Sequence, residues 1–299
     1  MESLKSGIQY RHWPIDNPRA CVLLVHGLAE HTGRYERVAA RFNARGIAVV
    51  GPDHIGHGAS PGVRCHLNRF DEYLAPLTAL RAQIADWYPD KPVFLLGHSM
   101  GGLISAHALL EGQAAYRGAM FSGPAFTAVN PVSPFTIWIG RLLRRLLPKM
   151  GMLALNAQEV SRDPEVVADY LADPLVYNGK ITASLGLEIL DAMDTAIRRA
   201  GEVTLPVYIA HGDADVMAGP EGSSAFFEGL ASQDKTLDFW PGLYHEIFHE
   251  PEAEEVIARY VDWLEARLWA ISVHWYWAPA VNWVGRAWRP LPSASTLVG

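Results

Sequence analysis

Gly97-His98-Ser99-Met100-Gly101 sets one serine between two glycines, a spacing that does chemistry when it turns a strand into a helix. The glycines permit a sharp, strained turn that exposes the Ser99 hydroxyl, because side chains at 97 and 101 would collide with the neighbouring strand and helix. A serine hydroxyl is a weak nucleophile at neutral pH and needs an adjacent base held by a third group. Downstream, "HGDAD" offers Asp213 and Asp215, and "PGLYHE" offers His245. Both aspartates follow an apolar run, so the residues by themselves leave the choice between them open. Met100 would start the helix, and its backbone N–H then points where an oxyanion forms.

A second pattern competes for the same histidine. His245-Glu246-Ile247-Phe248-His249 reads H-E-x-x-H, which on a helix holds zinc with two imidazoles on one face. The longer metzincin form needs a glycine and a later histidine where this chain has Glu252 and Glu255. Pro251 suits the first turn of a helix that starts after the motif. His245 is therefore expected to serve Ser99, and His249 to play a supporting or surface part. Asp53, His54 and His57 in "GPDHIGHG" are expected to pack rather than bind metal, and His26, His98 and His107 read as hydrogen-bonded packing residues. No metal and no organic cofactor is expected. Cys21 and Cys65 fit neither a disulfide framework, a zinc knuckle nor a redox pair, and read as two buried thiols.

These residues need a scaffold to bring them together. A chain of 299 residues that is 49% apolar and 19% charged can bury a large core. "CVLLVHG", "IAVVGP", "PVFLLG", "GAMFSGP" and "PVYIAHG" are short apolar runs, as strands buried on both faces require, and "KTLDFWPG" adds another strand. Between them, "RYERVAARFNARG", "LISAHALLEG", "PEGSSAFFEGL" and "PEAEEVIARYVDWLEARL" carry helical spacing. The alternation predicts an α/β fold: a mostly parallel central sheet with helices on both faces and functional loops at the carboxyl ends of the strands. The net charge of -7, with dispersed Lys and Arg, excludes a basic face for nucleic acid. The first residues lack a signal-peptide run and no apolar stretch is long enough to span a bilayer, so a cytoplasmic location is expected, with peripheral membrane contact left open.

The order Ser, Asp, His is that of the α/β-hydrolase fold. Together with "VHGLAEHTGRYE", "DHIGHGASPGVR", "GHSMGG", "HGDAD" and "SQDKTLDFWPGLYHEIFHE", it makes the chain resemble the serine hydrolases that include monoacylglycerol lipases and bacterial lysophospholipase-like enzymes, as far as about residue 265. The resemblance implies Ser99 as nucleophile, Asp215 rather than Asp213 as triad acid, and His245 as base. It implies an oxyanion hole made by the amides of Leu28 and Met100, and a polar pair, Glu30 and Arg34, near a glycerol headgroup. Leu28-Ala29 stands where the mammalian pattern has alanine-glycine, which leaves the backbone amide intact and narrows the expected entrance. The implied activity is cleavage of monoacylglycerols or similar single-chain acyl esters through an acyl-enzyme. Lysophospholipase, general carboxylesterase and acyltransferase use of the same triad are the alternatives.

The expected organisation is a hydrolase core at 1-124 and 200-268, a cap insertion at 125-199, and a Trp-rich extension at 269-299. In the cap, Phe135, Trp138, Ile139, Leu142, Leu143, Leu146 and Leu147 form one helical stripe with Arg141, Arg144 and Arg145 opposite. Such a face lines an acyl tunnel, with Trp138 and Leu142 touching substrate, lies on lipid with its arginines toward phosphates, or simply packs on the core. The extension holds five of the ten tryptophans, a residue that favours contacts apolar at one end and wet at the other. It is expected to dock on protein or on a membrane surface, and its last residues to be disordered.

Overall fold

The computed structural model describes residues 1–129, 133, 139–141 and 144–268. Eight strands form one sheet: β1 (Glu2–Ser3), β2 (Gln9–Trp13), β3 (Ala20–Val25), β4 (Ile47–Pro52), β5 (Val93–His98), β6 (Gly118–Ser122), β9 (Val207–Gly212) and β10 (Lys235–Trp240). Their spatial order is β1-β2-β4-β3-β5-β6-β9-β10, antiparallel where β1, β2 and β4 meet and parallel from β4 onward. The apolar runs make the inner strands: every residue of β3, β4, β5, β6 and β9 is buried. Short β1 and half-buried β10 stand at the edges.

Alternate residues of a strand point to opposite faces, and the core divides accordingly. Cys21, Leu23 and Val25 join one cluster, whereas Ala20, Val22 and Leu24 join the other. The first cluster is covered by α2 (Leu74–Trp87), α3 (Met100–Gly112), α5 (Ala183–Arg199) and α6 (Pro220–Gly229), through residues such as Leu77, Leu103, Leu185 and Phe226. On the second face lie α1 (Glu36–Asn43) and α7 (Ala253–Ala266), with Phe42, Val256 and Tyr260. The antiparallel strands β1 and β2 and helix α2 go beyond the elements expected from sequence. Residues 9–13 mix polar and apolar types, because an antiparallel strand that is only partly covered needs no continuous apolar run.

Between β6 and β9 the chain leaves the sheet. The described part of this excursion holds an antiparallel pair, β7 (Gly151–Ala154) with β8 (Lys180–Thr182), then α4 (Pro164–Ala172), before α5 returns to the sheet. Two contacts tie it to the loop after β3: Tyr177 N–H donates to the Ala29 carbonyl at 2.8 Å, and His31 Nε2 lies 2.8 Å from Asp173 Oδ2. Trp138 and Leu142 lie outside the described residues. Two of the arginines of this segment, Arg144 and Arg141, lie beside acidic residues of α5. Arg144 donates to the Asn68 carbonyl at 2.7 Å and pairs with Glu188 of α5 at 2.5 Å, while Arg141 stands 3.6 Å from Asp191. Leu146 and Leu147 are 67% and 55% exposed, and Arg141 and Arg145 are exposed too, so at this end apolar and cationic side chains both meet solvent.

Phe94 of β5 is fully buried and meets Trp263 edge-on at 6.4 Å. Phe94→Ala is expected to lower the unfolding free energy by about 3–5 kcal/mol, measured by urea titration. Leu146→Ala should change it by less than about 0.5 kcal/mol.

Candidate active site

β5 ends at His98 and α3 begins at Met100, so Ser99 alone makes the turn. Its backbone takes φ +53° and ψ −122°, a conformation that costs a non-glycine residue about 1–3 kcal/mol. The surroundings enforce it. Ser99 N–H donates to the Ser122 carbonyl at 3.0 Å, one step beyond the β5·β6 ladder, and the Ser99 carbonyl accepts from Gly102 and Ala125. Gly101 lies so close beneath β3 that a Cβ there would overlap the carbonyl oxygens of Val25 and His26. A Cβ at Gly97 would meet the Gly101 carbonyl and the Ser105 hydroxyl at 2.5 Å.

The loop ends of β5, β9 and β10 meet around this turn. Ser99 Oγ lies 2.8 Å from His245 Nε2, and His245 Nδ1 lies 2.6 Å from Asp215 Oδ2. Asp215 Oδ1 accepts the backbone N–H groups of Met217 and Ala218 at 2.8 and 3.1 Å. Asp213, two residues earlier, is exposed and accepts the Gly242 N–H at 2.6 Å, which shapes the turn after β10. Burial works to raise the Asp215 pKa, but the His245 charge and the hydrogen bonds from His211 and His245 hold it far below the usual carboxylate range. For His245 burial works downward, and Asp215, with Glu246 and Glu30 farther off, outweighs it and raises the imidazole above its ordinary value.

Sequence reasoning overlooked His211, although it stands in the same "HGDAD" run. Its ring is fully buried, with Nε2 2.9 Å from Asp215 Oδ2 and 3.1 Å from the Ala218 carbonyl. A carbonyl can only accept, so Nε2 carries the proton and Nδ1 accepts from the Ser223 hydroxyl at 2.7 Å. Asp215 Oδ2 thus faces two histidines. The signal was its spacing, four residues before Asp215 at the end of a buried strand.

Leu28 and Met100 flank Ser99, Met100 as first residue of α3 and Leu28 in the loop after β3. Among the described residues no hydrogen bond engages either backbone N–H. A histidine pair braces the loop from behind: His26 Nδ1–H donates to the Gly27 carbonyl at 2.8 Å, His26 Nε2 accepts the His54 N–H at 3.0 Å, and His54 Nε2–H returns to the His26 carbonyl at 3.0 Å. Burial keeps both rings well below the ordinary histidine pKa and pushes His57 down to about 4. Asp53 is spent on Thr32 and the Ala59 N–H. Among the described residues no cluster of His, Cys, Asp or Glu is arranged to hold a metal. Ala29 has φ +65°, which explains a glycine at that position in the mammalian pattern. His98, pushed down to about 3 by burial and then by His245, donates from Nδ1 to the Ser122 carbonyl at 3.0 Å, and His107 donates to the Ala192 carbonyl. Burial likewise lifts both thiols, Cys21 and Cys65, to about 12.

The H-E-x-x-H run is a series of turns, not a helix, and α7 starts at Ala253, two residues past Pro251. Its two histidines diverge. His249 Nε2–H donates to the Arg34 carbonyl at 2.9 Å, far from the Ser99 contact made by His245. Between them Glu246, also overlooked in the sequence, takes Arg34 in a two-pronged pair at 2.6 and 2.7 Å, and Arg34 reaches Glu30 at 2.9 Å.

A cavity of about 400 Å³ opens over Ser99, within the range of small-molecule sites. Leu155, Leu187, Leu190, Met193 and Met217 line its apolar arm, and Glu30, Tyr170, His245 and Glu246 stand at its polar end. Arg34 does not line it.

A mostly parallel sheet with a serine on a strained turn between strand and helix, a histidine in reach and an excursion over the site, defines an α/β-hydrolase-fold serine hydrolase. Residues 16–252 match the model of the serine aminopeptidase S33 family, and the chain belongs to that family. It is 40% identical over 264 residues to a monoacylglycerol lipase of Mycolicibacterium smegmatis, covering 87% of this chain and 94% of the relative. It is 31% identical over 262 residues to the Homo sapiens monoglyceride lipase, covering 86% of each. The crystal structure of the Paleococcus ferrophilus monoacylglycerol lipase superposes with a TM-score of 0.80 at 33% identity, covering 87% of this chain and 99% of that one.

Alanine normally stabilises a helix relative to glycine by about 1 kcal/mol. Gly186→Ala in α5, where a Cβ meets nothing within 4 Å, should show that gain in thermal unfolding. Gly101→Ala should instead lower stability and displace the turn, read as loss of fluorophosphonate labelling; a Gly101→Ala protein that gains stability would contradict the enforced turn.

Proposed function

We propose that the protein is a carboxylic ester hydrolase cleaving monoacylglycerols or similar single-chain acyl esters, with Ser99 as nucleophile, His245 as general base and Asp215 as the acid that orients it. One observation carries the reading: the Ser99 hydroxyl, hydrogen-bonded to His245, opens onto an apolar cavity with polar groups gathered at one end. The names of the M. smegmatis and P. ferrophilus relatives support the substrate class. Peptide hydrolysis, to which the family's name refers, suits a cavity this apolar poorly.

In this mechanism His245 Nε2 takes the Ser99 proton as Oγ attacks the ester carbonyl, and the Leu28 and Met100 N–H groups receive the oxyanion. Collapse of the tetrahedral intermediate expels the alcohol, which takes the proton from His245, and leaves an acyl-Ser99 ester. Water then gives a proton to His245 and attacks the acyl carbonyl, releasing the fatty acid and restoring Ser99. Asp215 keeps the Nδ1 proton in place and stabilises the imidazolium at each transfer. His211 and two backbone N–H groups hold Asp215 in position.

The acyl chain fits along Leu187, Leu190 and Met193, and the alcohol at the Glu30 and Glu246 end. Trp138 and Leu142 remain part of this proposal as acyl contacts from the cap. Peripheral contact with a lipid surface is part of it as well, supported by the exposure of Leu146, Leu147, Met152 and Leu153. No helix among the described residues is long and apolar enough to cross a membrane.

Ser99→Ala, His245→Gln and Asp215→Asn should each lower kcat on a medium-chain monoacylglycerol roughly 10⁴-fold or more, as triad removal does elsewhere. Asp213→Asn should stay within about tenfold, the scale of one lost hydrogen bond. The reverse ranking of the two aspartates would overturn the assignment.

The base works only when neutral, so kcat/KM should rise with pH through the His245 pKa. Because Asp215 raises that pKa in the folded protein, the acid limb should lie above the ordinary value of about 6.5. A pH profile with its limb below that value would contradict the account.

A further inference from the structure

Arg34 stands behind its partners, and the partners face the cavity. Glu30 and Glu246 line the polar end beside Ser99 and His245, whereas among the described residues no lysine or arginine lines the cavity at all. Glu30 Oε1 accepts the Gly27 N–H at 2.6 Å and the Tyr35 hydroxyl at 2.7 Å, and its Oε2 accepts from Arg34. Glu246 accepts from the same Nη1 and from Nη2 of the guanidinium, which stacks 4.7 Å over the Tyr170 ring. His249 lies 3.2 Å from Glu246 and spends its other nitrogen on the Arg34 carbonyl, and it does not line the cavity either. Burial opposes the Arg34 charge, yet Glu246 and Glu30 hold its pKa well above the ordinary value and Arg34 holds that of Glu246 well below. The guanidinium is therefore committed to two carboxylates through Nη1 and Nη2, and it stands behind them rather than in the cavity lining.

We infer, resting on the ester-hydrolase reading above, that this acidic lining selects esters of uncharged polyols and rejects the same esters when the alcohol carries an anionic group. A polyol hydroxyl donates to the cavity-facing carboxylate oxygens. A phosphate presents acceptors and charge to groups that are themselves acceptors and charged. For one like-charge pair about 6 Å apart at an effective dielectric near 20, the discrimination is about 100-fold. Glu246, not Arg34, is thus the specificity-determining residue of the polar end.

The test uses 1-lauroylglycerol and 1-lauroylglycerol 3-phosphate, which share the scissile ester and differ in one phosphate. For the wild type, kcat/KM should favour the neutral ester about 100-fold. Glu246→Gln should narrow that ratio about tenfold, whatever it does to either rate alone. A wild-type ratio near one, or a ratio unmoved by Glu246→Gln, overturns the proposal. A second measurement needs neither turnover nor a variant: 1-O-decylglycerol should raise the wild-type Tm and decyl phosphate should not. Equal shifts overturn the inference. If neither ester is hydrolysed, the hydrolase reading fails and the Tm comparison still decides the question of charge.

Discussion

The left-handed backbone of Ser99 is the constraint around which the remaining geometry is arranged. A residue at φ +53° persists only if its neighbours over-determine it, and here they do so from three sides: the Ser122 carbonyl, the start of α3, and the carbonyls at the end of β3 pressed against Gly101. The last contact has a further effect. It sets α3 against the loop that carries Leu28, so the two N–H groups proposed for the oxyanion are placed by the same close approach that strains Ser99. The His26 and His54 exchange of hydrogen bonds fixes the other side of that loop with rings that burial keeps neutral. Catalytic geometry and sheet packing are therefore one structure rather than two.

Charge is concentrated where the cavity turns polar. Burying two carboxylates is tolerable only because each has several donors: Glu30 has a backbone N–H, a tyrosine hydroxyl and Arg34, and Glu246 has both prongs of the same guanidinium. Asp215 follows the same rule with four donors, two of them histidines. These arrangements act on the base between them. His245 is raised by Asp215 directly and by Glu246 and Glu30 at longer range, so the groups proposed to face the alcohol also act on the proposed base.

Much of this was legible in the chain. The inner strands and their helices announce themselves because strands buried on both faces are written as unbroken apolar runs, and the serine turn because no other residues fit between β5 and α3. Strand β2 was not legible, since its side chains are mostly only partly buried and its pattern dissolves into polar residues. Glu246 and His211 were hidden for a different reason. Each sits inside a motif whose other members drew the reading; Glu246 meets Arg34 only when residues 212 apart are folded together, whereas His211 stands four residues from Asp215 and was passed over within its own run. The cap arginines were read from a helical wheel, which reports faces but not the acidic residues that a neighbouring helix brings alongside them.

The central claim is that Ser99 is the nucleophile, and covalent labelling reads it most directly. Intact-mass spectrometry after treatment with an alkyl fluorophosphonate should show one adduct per chain, mapped by peptide analysis to Ser99 and abolished in Ser99→Ala. An unlabelled wild-type protein, or an adduct on any other residue, would contradict the account.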